Sequence, residues 1–202
     1  FFMLWTPQNL FAQGDCVSFD DVSAGTTFEF EDQFTSDGAA VFVEAFYTQG
    51  GLSYESGSVL ISATGSAGGK PNEAYTDTAV LMFSFGHWLE GATIRFNDDG
   101  GEVNLWVNNV LEEADDLDSL DGTELGGATI AVTGGAGSPG VVTITGMVYQ
   151  IGIGGEAMFV DDICPGKPAS PPDPGSCVTF DDLWPMTRYE VGDTLVSKDV
   201  SL

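Results

Sequence analysis

From Cys16 onward apolar and polar positions alternate with a period of two, so the chain reads as a succession of strands. In Thr27–Glu31 (T-F-E-F-E), Phe28 and Phe30 face one side and the threonine and acids the other. The same pattern predicts strands at Ala40–Thr48, Gly57–Ala63, Thr129–Thr133, Val141–Thr145, Met147–Ile153 and Ala157–Cys164. Asp77–Leu89 holds a more continuous apolar run, A-V-L-M-F-S-F, which suits a strand covered on both faces at the centre of a sheet. Ala92–Asn109 reads as a hairpin turning at Asp98-Asp99-Gly100-Gly101. Gly65–Asn72 and the acid-rich Leu111–Gly122 read as loops.

About ten short strands with glycine-rich turns and no long helical pattern predict an all-β sandwich. A jelly roll is the expected topology, since it brings the first and last strands together. An internal repeat divides the chain further. C-V-S-F-D-D at Cys16–Asp21 returns as C-V-T-F-D-D at Cys177–Asp182, and the alignment continues without a gap at an offset of 161 residues, with nine identities in 26 pairs. The expected organisation is an apolar N-terminal arm or signal remnant (1–15), a sandwich domain (16–164), a linker (165–176) with five prolines, and a partial second copy (177–202). A spacing of 161 residues argues against a propeller, whose blades repeat every 40–50 or so.

Composition narrows the partners. Five Lys and Arg stand against 31 Asp and Glu, a net charge of −26. Such a chain cannot neutralise a phosphate backbone, so nucleic acid is excluded. It suits a salty or calcium-rich exterior better than a cytosol. No apolar run is long enough to span a membrane. Of the three cysteines, Cys16 and Cys164 bracket the sandwich. In an oxidising compartment they would pair, contributing about 4–5 kcal/mol through loop closure, and Cys177 would be the odd one out. The alternative is that all three stay reduced.

The repeated C-V-x-F-D-D opening, with G-G-E-V-N-L-W-V-N-N (Gly100–Asn109) and G-G-E-A-M-F-V-D-D-I-C (Gly154–Cys164), resembles secreted bacterial β-sandwich repeats. These are similar to calcium-binding jelly-roll domains of the carbohydrate-binding and adhesive type. In such domains the last strand ends in an apolar-Asp-[DNA]-[IV] tract, matched here by Phe159-Val160-Asp161-Asp162-Ile163. The resemblance implies a fold and an extracellular location more than an activity.

Catalysis finds little support. The one histidine, His87, has no G-x-S-x-G elbow to serve, and a structural role suits it better. Gly135–Gly140 fits G-x-G-x-x-G but precedes a strand, not a helix. With 31 acids, no glycosidase pair can be singled out. The chain is therefore read as not an enzyme. Calcium, which takes six to eight oxygens, is the expected cofactor. If Cys16 pairs with Cys164, the carboxylates of Asp20, Asp21, Asp161 and Asp162 converge. A second set is Asp98, Asp99 and Glu102, and a third is the Asp115/Asp116/Asp118/Asp121 loop. Against each stands a merely solvated acidic edge. Trp106, flanked by Asn104 and Asn108 on the outer face of its strand, is the best sugar-stacking candidate among Trp5, Trp88, Trp106 and Trp184, though core filling is commoner.

Two strands alone are unstable in water, so the second copy must pack on something. The expected function is a structural subunit of an extracellular filament or surface matrix. It would assemble head-to-tail with copies of itself by adding strands from Cys177, Val178, Phe180, Tyr189, Val191 and Leu195 to a neighbour, with Phe1, Phe2 and Trp5 taking part at the other end. The alternative is a carbohydrate-binding or adhesive module of a larger secreted protein, with extracellular polysaccharide as partner.

Overall fold

The computed structural model describes residues 16–69, 71–135 and 137–169, with two further strand fragments at 196–197 and 200–201. The assembly expectations for Phe1, Phe2, Trp5, Cys177, Val178, Phe180, Tyr189, Val191 and Leu195 lie outside the described residues. Two compact units are distinguished, one ending at Ala169 and the other beginning at Ser170.

Among its described residues the first unit holds fifteen strands: β1 (Thr27–Glu29), β2 (Gln33–Ser36), β3 (Ala39–Tyr47), β4 (Ser53–Tyr54), β5 (Ser58–Ser62), β6 (Glu73–Asp77), β7 (Ala79–Leu89), β8 (Ala92–Asp98), β9 (Val103–Val107), β10 (Val110–Ala114), β11 (Glu124–Leu125), β12 (Ala128–Thr133), β13 (Gly140–Gly146), β14 (Val148–Gly155) and β15 (Met158–Pro165). One 3-10 turn, Leu117–Leu120, interrupts them. The strands form two antiparallel sheets, as the alternation predicts. One has the order β1-β5-β6-β15-β8-β13-β12-β11. The other runs β10-β9-β14-β7-β3-β2, with β4 added beside β3. The fold is an all-β sandwich.

Inward-facing side chains of both sheets fill the space between them. Val59, Ile61, Ile94, Phe96, Val142, Ile144 and Val160 come from one sheet, and Val41, Val43, Leu81, Phe83, Leu105, Val107, Ile151 and Ile153 from the other. All are buried, so each removes its apolar surface from water at roughly 25 cal/mol per Å2.

The predicted hairpin Ala92–Asn109 is not one. β8 pairs with β13 and β15, whereas β9 pairs with β14 and β10 in the opposite sheet. Both strands carry a full apolar face, and burying the two faces against each other sends the turn at 98–101 across the core. Asp77–Leu89 is likewise divided. Thr78, left-handed at φ 55, separates β6 from β7 and transfers the chain between sheets. Leu111–Gly122 is not all loop: Val110–Ala114 pairs with β9, and Leu117 and Leu120 of the 3-10 turn are buried. Within this stretch a tight hairpin does join β9 to β10, where Asn108 and Asn109 both take positive φ (51 and 66). Two left-handed central residues match the right-handed twist of the flanking strands, and asparagine tolerates that conformation well.

Cys16 and Cys164 form the expected disulfide across a separation of 148 residues. The chain does not leave the sandwich at Cys164, however. Gly166 and Ala169 N–H groups donate to the carbonyls of Gly91 and Trp88 (both 2.8 Å), and Glu90 N–H donates to the carbonyl of Lys167 (2.8 Å). The start of the proline-rich stretch is thus laced onto the end of β7.

In the second unit, β16 (Val196–Ser197) pairs antiparallel with β17 (Val200–Ser201), Val196 opposite Ser201 and Ser197 opposite Val200. At an offset of 161 residues these are the counterparts of Thr35 opposite Ala40 and Ser36 opposite Ala39, which are paired in β2 and β3. The repeated sequence repeats the register.

Candidate functional site

Each residue of the opening motif has a task at the seam between chain start and last strand. Val17 exchanges two backbone hydrogen bonds with Ile163 (2.9 and 3.0 Å). Ser18 donates through its N–H (2.7 Å) and hydroxyl (2.9 Å) to Asp37. Phe19 is fully buried at φ 59. Asp20 Oδ1 accepts from Asn72 N–H (3.3 Å), and Asn72 in turn donates its amide to the carbonyl of Val22 (2.9 Å). Asp21 accepts from the Ser36 hydroxyl (2.8 Å) and from Asp37 N–H (2.9 Å).

The four predicted carboxylates are therefore sorted, not pooled. Asp21 is turned to the β2–β3 turn, where its two oxygens are occupied, and it leaves the set. Asp162 is drawn off as well, its carboxylate 3.1 Å from the Arg95 guanidinium. What remains centres on Asp161. Between Asp161 opposite Arg95 and Cys164 opposite Thr93, β15 advances three residues while β8 advances two. This one-residue bulge puts Asp162 at φ 42 and returns Ile163 to the core. Asp161 has no exposed surface. Its Oδ1 accepts from the N–H of Asp162 (2.7 Å), and its Oδ2 is buried with no partner.

The segment between β5 and β6 covers this carboxyl. Gly69 comes so close that a Cβ there would overlap Asp161 Oδ2. Glu73, which the sequence reading missed, organises that segment from below. It is fully buried and accepts hydrogen bonds from the Thr64 hydroxyl, Ser66 N–H (2.8 Å) and Ala67 N–H (2.7 Å). The signal was present: an acid at the start of a strand pattern, behind a loop flanked by Thr64 and Ser66. Burial, and then the charges of Asp162, Glu73 and Asp20, push the Asp161 carboxyl up to about 7, partly offset by the hydrogen bond from Asp162 N–H.

The second predicted set is divided. Asp98 is 2% exposed, its Oδ1 accepting from Gly100 N–H (2.8 Å) and its Oδ2 buried without a partner. Burial raises its pKa, as do Asp116, Asp99 and Asp118. Glu102 leaves the group because its Oε2 accepts from Gln49 N–H (2.9 Å). The third set splits too. Asp116 and Asp118 bear on Asp98, Asp115 accepts from the Gln49 amide (3.3 Å), and Asp121 accepts from Val132 N–H (2.9 Å). Among the described residues no three Asp, Glu, His or Cys side chains stand together closely enough to hold a metal ion by themselves.

Searches against family models, curated proteins and solved structures find no match to this chain.

The expected sugar platform at Trp106 is not available as predicted. Asn104 is fully buried, exchanging hydrogen bonds with the N–H and C=O of Tyr47 (2.8 and 2.6 Å). Asn108 is bound to the carbonyls of Gly126 and Met147 and to Tyr149 N–H (2.8, 2.7 and 2.9 Å). Their amides hold the backbone and have nothing left for a ligand. Trp106 itself stands edge-on to Tyr47, and its Cβ and Met82 close over Gly152. No helix of the described residues is long and apolar enough to cross a membrane.

Proposed function

We propose that this chain is a structural and adhesive module of an extracellular protein, a disulfide-stapled jelly roll braced by calcium at its seam and repeated along the polypeptide. The observation that carries this reading is the Asp161 carboxylate, buried with one oxygen unpartnered, close against Gly69 and within the field of Asp20 and Glu73. A negative charge in that position is expensive unless a cation joins it. Calcium suits an all-oxygen setting with irregular geometry. Asp161 would supply the anchoring carboxylate and Asp20 a second. Loop carbonyls and water would complete the shell, since three carboxylates do not converge.

Other features agree. The strand order β6-β15-β8-β13 packed on β7-β14-β9-β10 is the interleaving expected of a jelly roll. A disulfide closing so long a loop persists in an oxidising exterior. The β16–β17 pairing, in the register of β2–β3, supports a second sandwich following the first in tandem. The same hairpin register is compatible with addition to a neighbouring copy, and head-to-tail assembly is the array that such repeats form.

The test is thermal unfolding of the full chain in EDTA, in calcium and in magnesium. Calcium at 100 times its Kd adds about 2.7 kcal/mol, a rise in Tm of roughly 5–10 °C for a chain of this size. Magnesium, which demands tighter octahedral geometry, gives little. Equal Tm in EDTA and saturating calcium would overturn the proposal.

A further inference from the structure

On the far sheet, away from the seam, β7 and β14 part company. Leu89 lies opposite Val148, and the next pair is Ser84 opposite Gln150. Between these pairs β7 advances five residues while β14 advances two, so β7 carries a bulge here. Gly86 takes φ 70 within the bulge, where a Cβ would meet nothing within 4 Å, so the glycine serves the backbone conformation and not a tight contact. Bulges of this kind re-aim side chains and are frequent at binding sites. Here an open groove of about 390 Å3 is lined by Ser84, Gly86, His87, Trp88 and Tyr149.

The aromatic walls are held in place. Trp88 is 46% exposed, and its ring meets that of Tyr149 edge-on at 4.7 Å and 77°. Its carbonyl is tied to Ala169 N–H (2.8 Å), and Leu89 beside it is buried and bridged to Pro168. Tyr149 N–H donates to the Asn108 side chain (2.9 Å), and its phenol oxygen accepts from the Asn109 amide. With its lone pair engaged, that phenol can direct its O–H to a ligand. A large exposed tryptophan therefore stands at the edge of an open groove with the Ser84 and Tyr149 hydroxyls and the His87 imidazole around it.

We infer that the Trp88–Tyr149 pocket binds pyranose units of a neutral polysaccharide. A pyranose has apolar C–H faces that pack on an aromatic ring and a rim of hydroxyls that exchange hydrogen bonds with the flanking polar groups. The volume is at the small end for ligand sites, enough for a short stretch of ring units and not for a folded domain. The net charge of −26 repels uronates and sulfated polymers, which leaves the uncharged class. This site is separate from the seam and does not require calcium.

Native-gel retardation of the full chain in EDTA and in calcium tests the assignment. The probes are soluble β-glucan, xylan, glucomannan and hydroxyethylcellulose, with polygalacturonate as the charged control. The expected result is retardation by at least one neutral polymer in both buffers. Trp88→Ala should weaken it at least tenfold with unchanged far-UV circular dichroism and Tm, and Tyr149→Phe, which keeps the ring but loses the hydroxyl, should weaken it several-fold. Retardation by polygalacturonate as strong as by any neutral polymer, no retardation by any neutral polymer, or full retardation of Trp88→Ala would each overturn it. Because both buffers are run, failure here is distinguishable from failure of calcium to raise the Tm.

Discussion

Replacing Asp161 with Asn separates the two costs at the seam: a buried charge and a missing cation. Asn keeps the shape and the acceptor that takes Asp162 N–H, and it removes the charge. In the native chain the carboxyl is raised from 3.8 to about 7, about three pH units. At about 1.36 kcal/mol per unit this is on the order of 4 kcal/mol. Because the folded-state value lies above the unfolded one, the metal-free fold has this contribution in full below about pH 4. It loses it as the pH rises through about 7, and the loss is complete above that. Urea unfolding in EDTA from pH 4 to pH 8 isolates the effect as the difference between wild type and Asp161→Asn, since groups distant from position 161 cancel in that difference. The variant should be nearly level with wild type at the acid end and more stable by up to about 4 kcal/mol at pH 8. Calcium at 100 times its Kd should then close about 2.7 kcal/mol of that gap at pH 8, stabilising wild type and leaving the variant unmoved. Parallel curves for the two proteins across the whole range in EDTA would refute the burial argument. Equal stabilisation of both by calcium would remove Asp161 from the site.

The same reasoning reaches other positions. Asp98→Asn keeps the acceptor for Gly100 N–H and relieves a carboxyl whose pKa is raised, so it should stabilise the chain at neutral pH, with the gain vanishing in acid; denaturant midpoints at pH 4 and pH 8 check this. Gly69→Ala drives a methyl into Asp161 Oδ2 and should cost about 1–3 kcal/mol by overpacking, with the calcium-dependent rise in Tm abolished. Removing the staple with Cys16→Ser and Cys164→Ser should lower stability by about 4–5 kcal/mol, and dithiothreitol should then have no further effect on the double variant's Tm. Asn108→Gly retains the positive φ and loses the amide's three hydrogen bonds, so a drop of about 2–3 kcal/mol in urea unfolding assigns those bonds their weight.

Period-two alternation was enough to reveal the strands, because one buried face per strand leaves its mark on every second residue. Ala40–Thr48 needed nothing else, whereas of Thr27–Glu31 only Thr27–Glu29 is strand: Phe30 and Glu31 turn away, Glu31 at φ 69. Pairing was not legible in the same way. β8 and β9 carry the same alternation whether they lie side by side in one sheet or face to face across the core. Only the hydrogen-bonded neighbours distinguish the two: β13 and β15 for β8, β14 and β10 for β9. Short edge strands such as Gln33–Ser36 and Ser53–Tyr54 escaped notice because they are too brief for a period to register. Asn104, Trp106 and Asn108 were correctly placed on the outer side of β9, yet a residue's side says nothing of what covers it, and backbone groups of Tyr47, Gly126 and Met147 had already claimed the two amides.

The C-V-x-F-D-D motif shows the same division. Its recurrence, its cysteine and its acids were plain in the chain, and so was the pairing of Cys16 with Cys164 once the first and last strands were thought to meet. Which acid would be buried was not. Asp20, Asp21, Asp161 and Asp162 are alike as letters. The tertiary structure gave Asp21 to Ser36 and Asp37, Asp162 to Arg95, and left Asp161 beneath Gly69 with an oxygen unanswered. Local sequence determines which backbone conformations and faces are favourable, since those depend on near neighbours and on burial of one side. The fate of a charge depends on groups tens of residues away in the chain and a few ångströms away in space, so only the fold decides it.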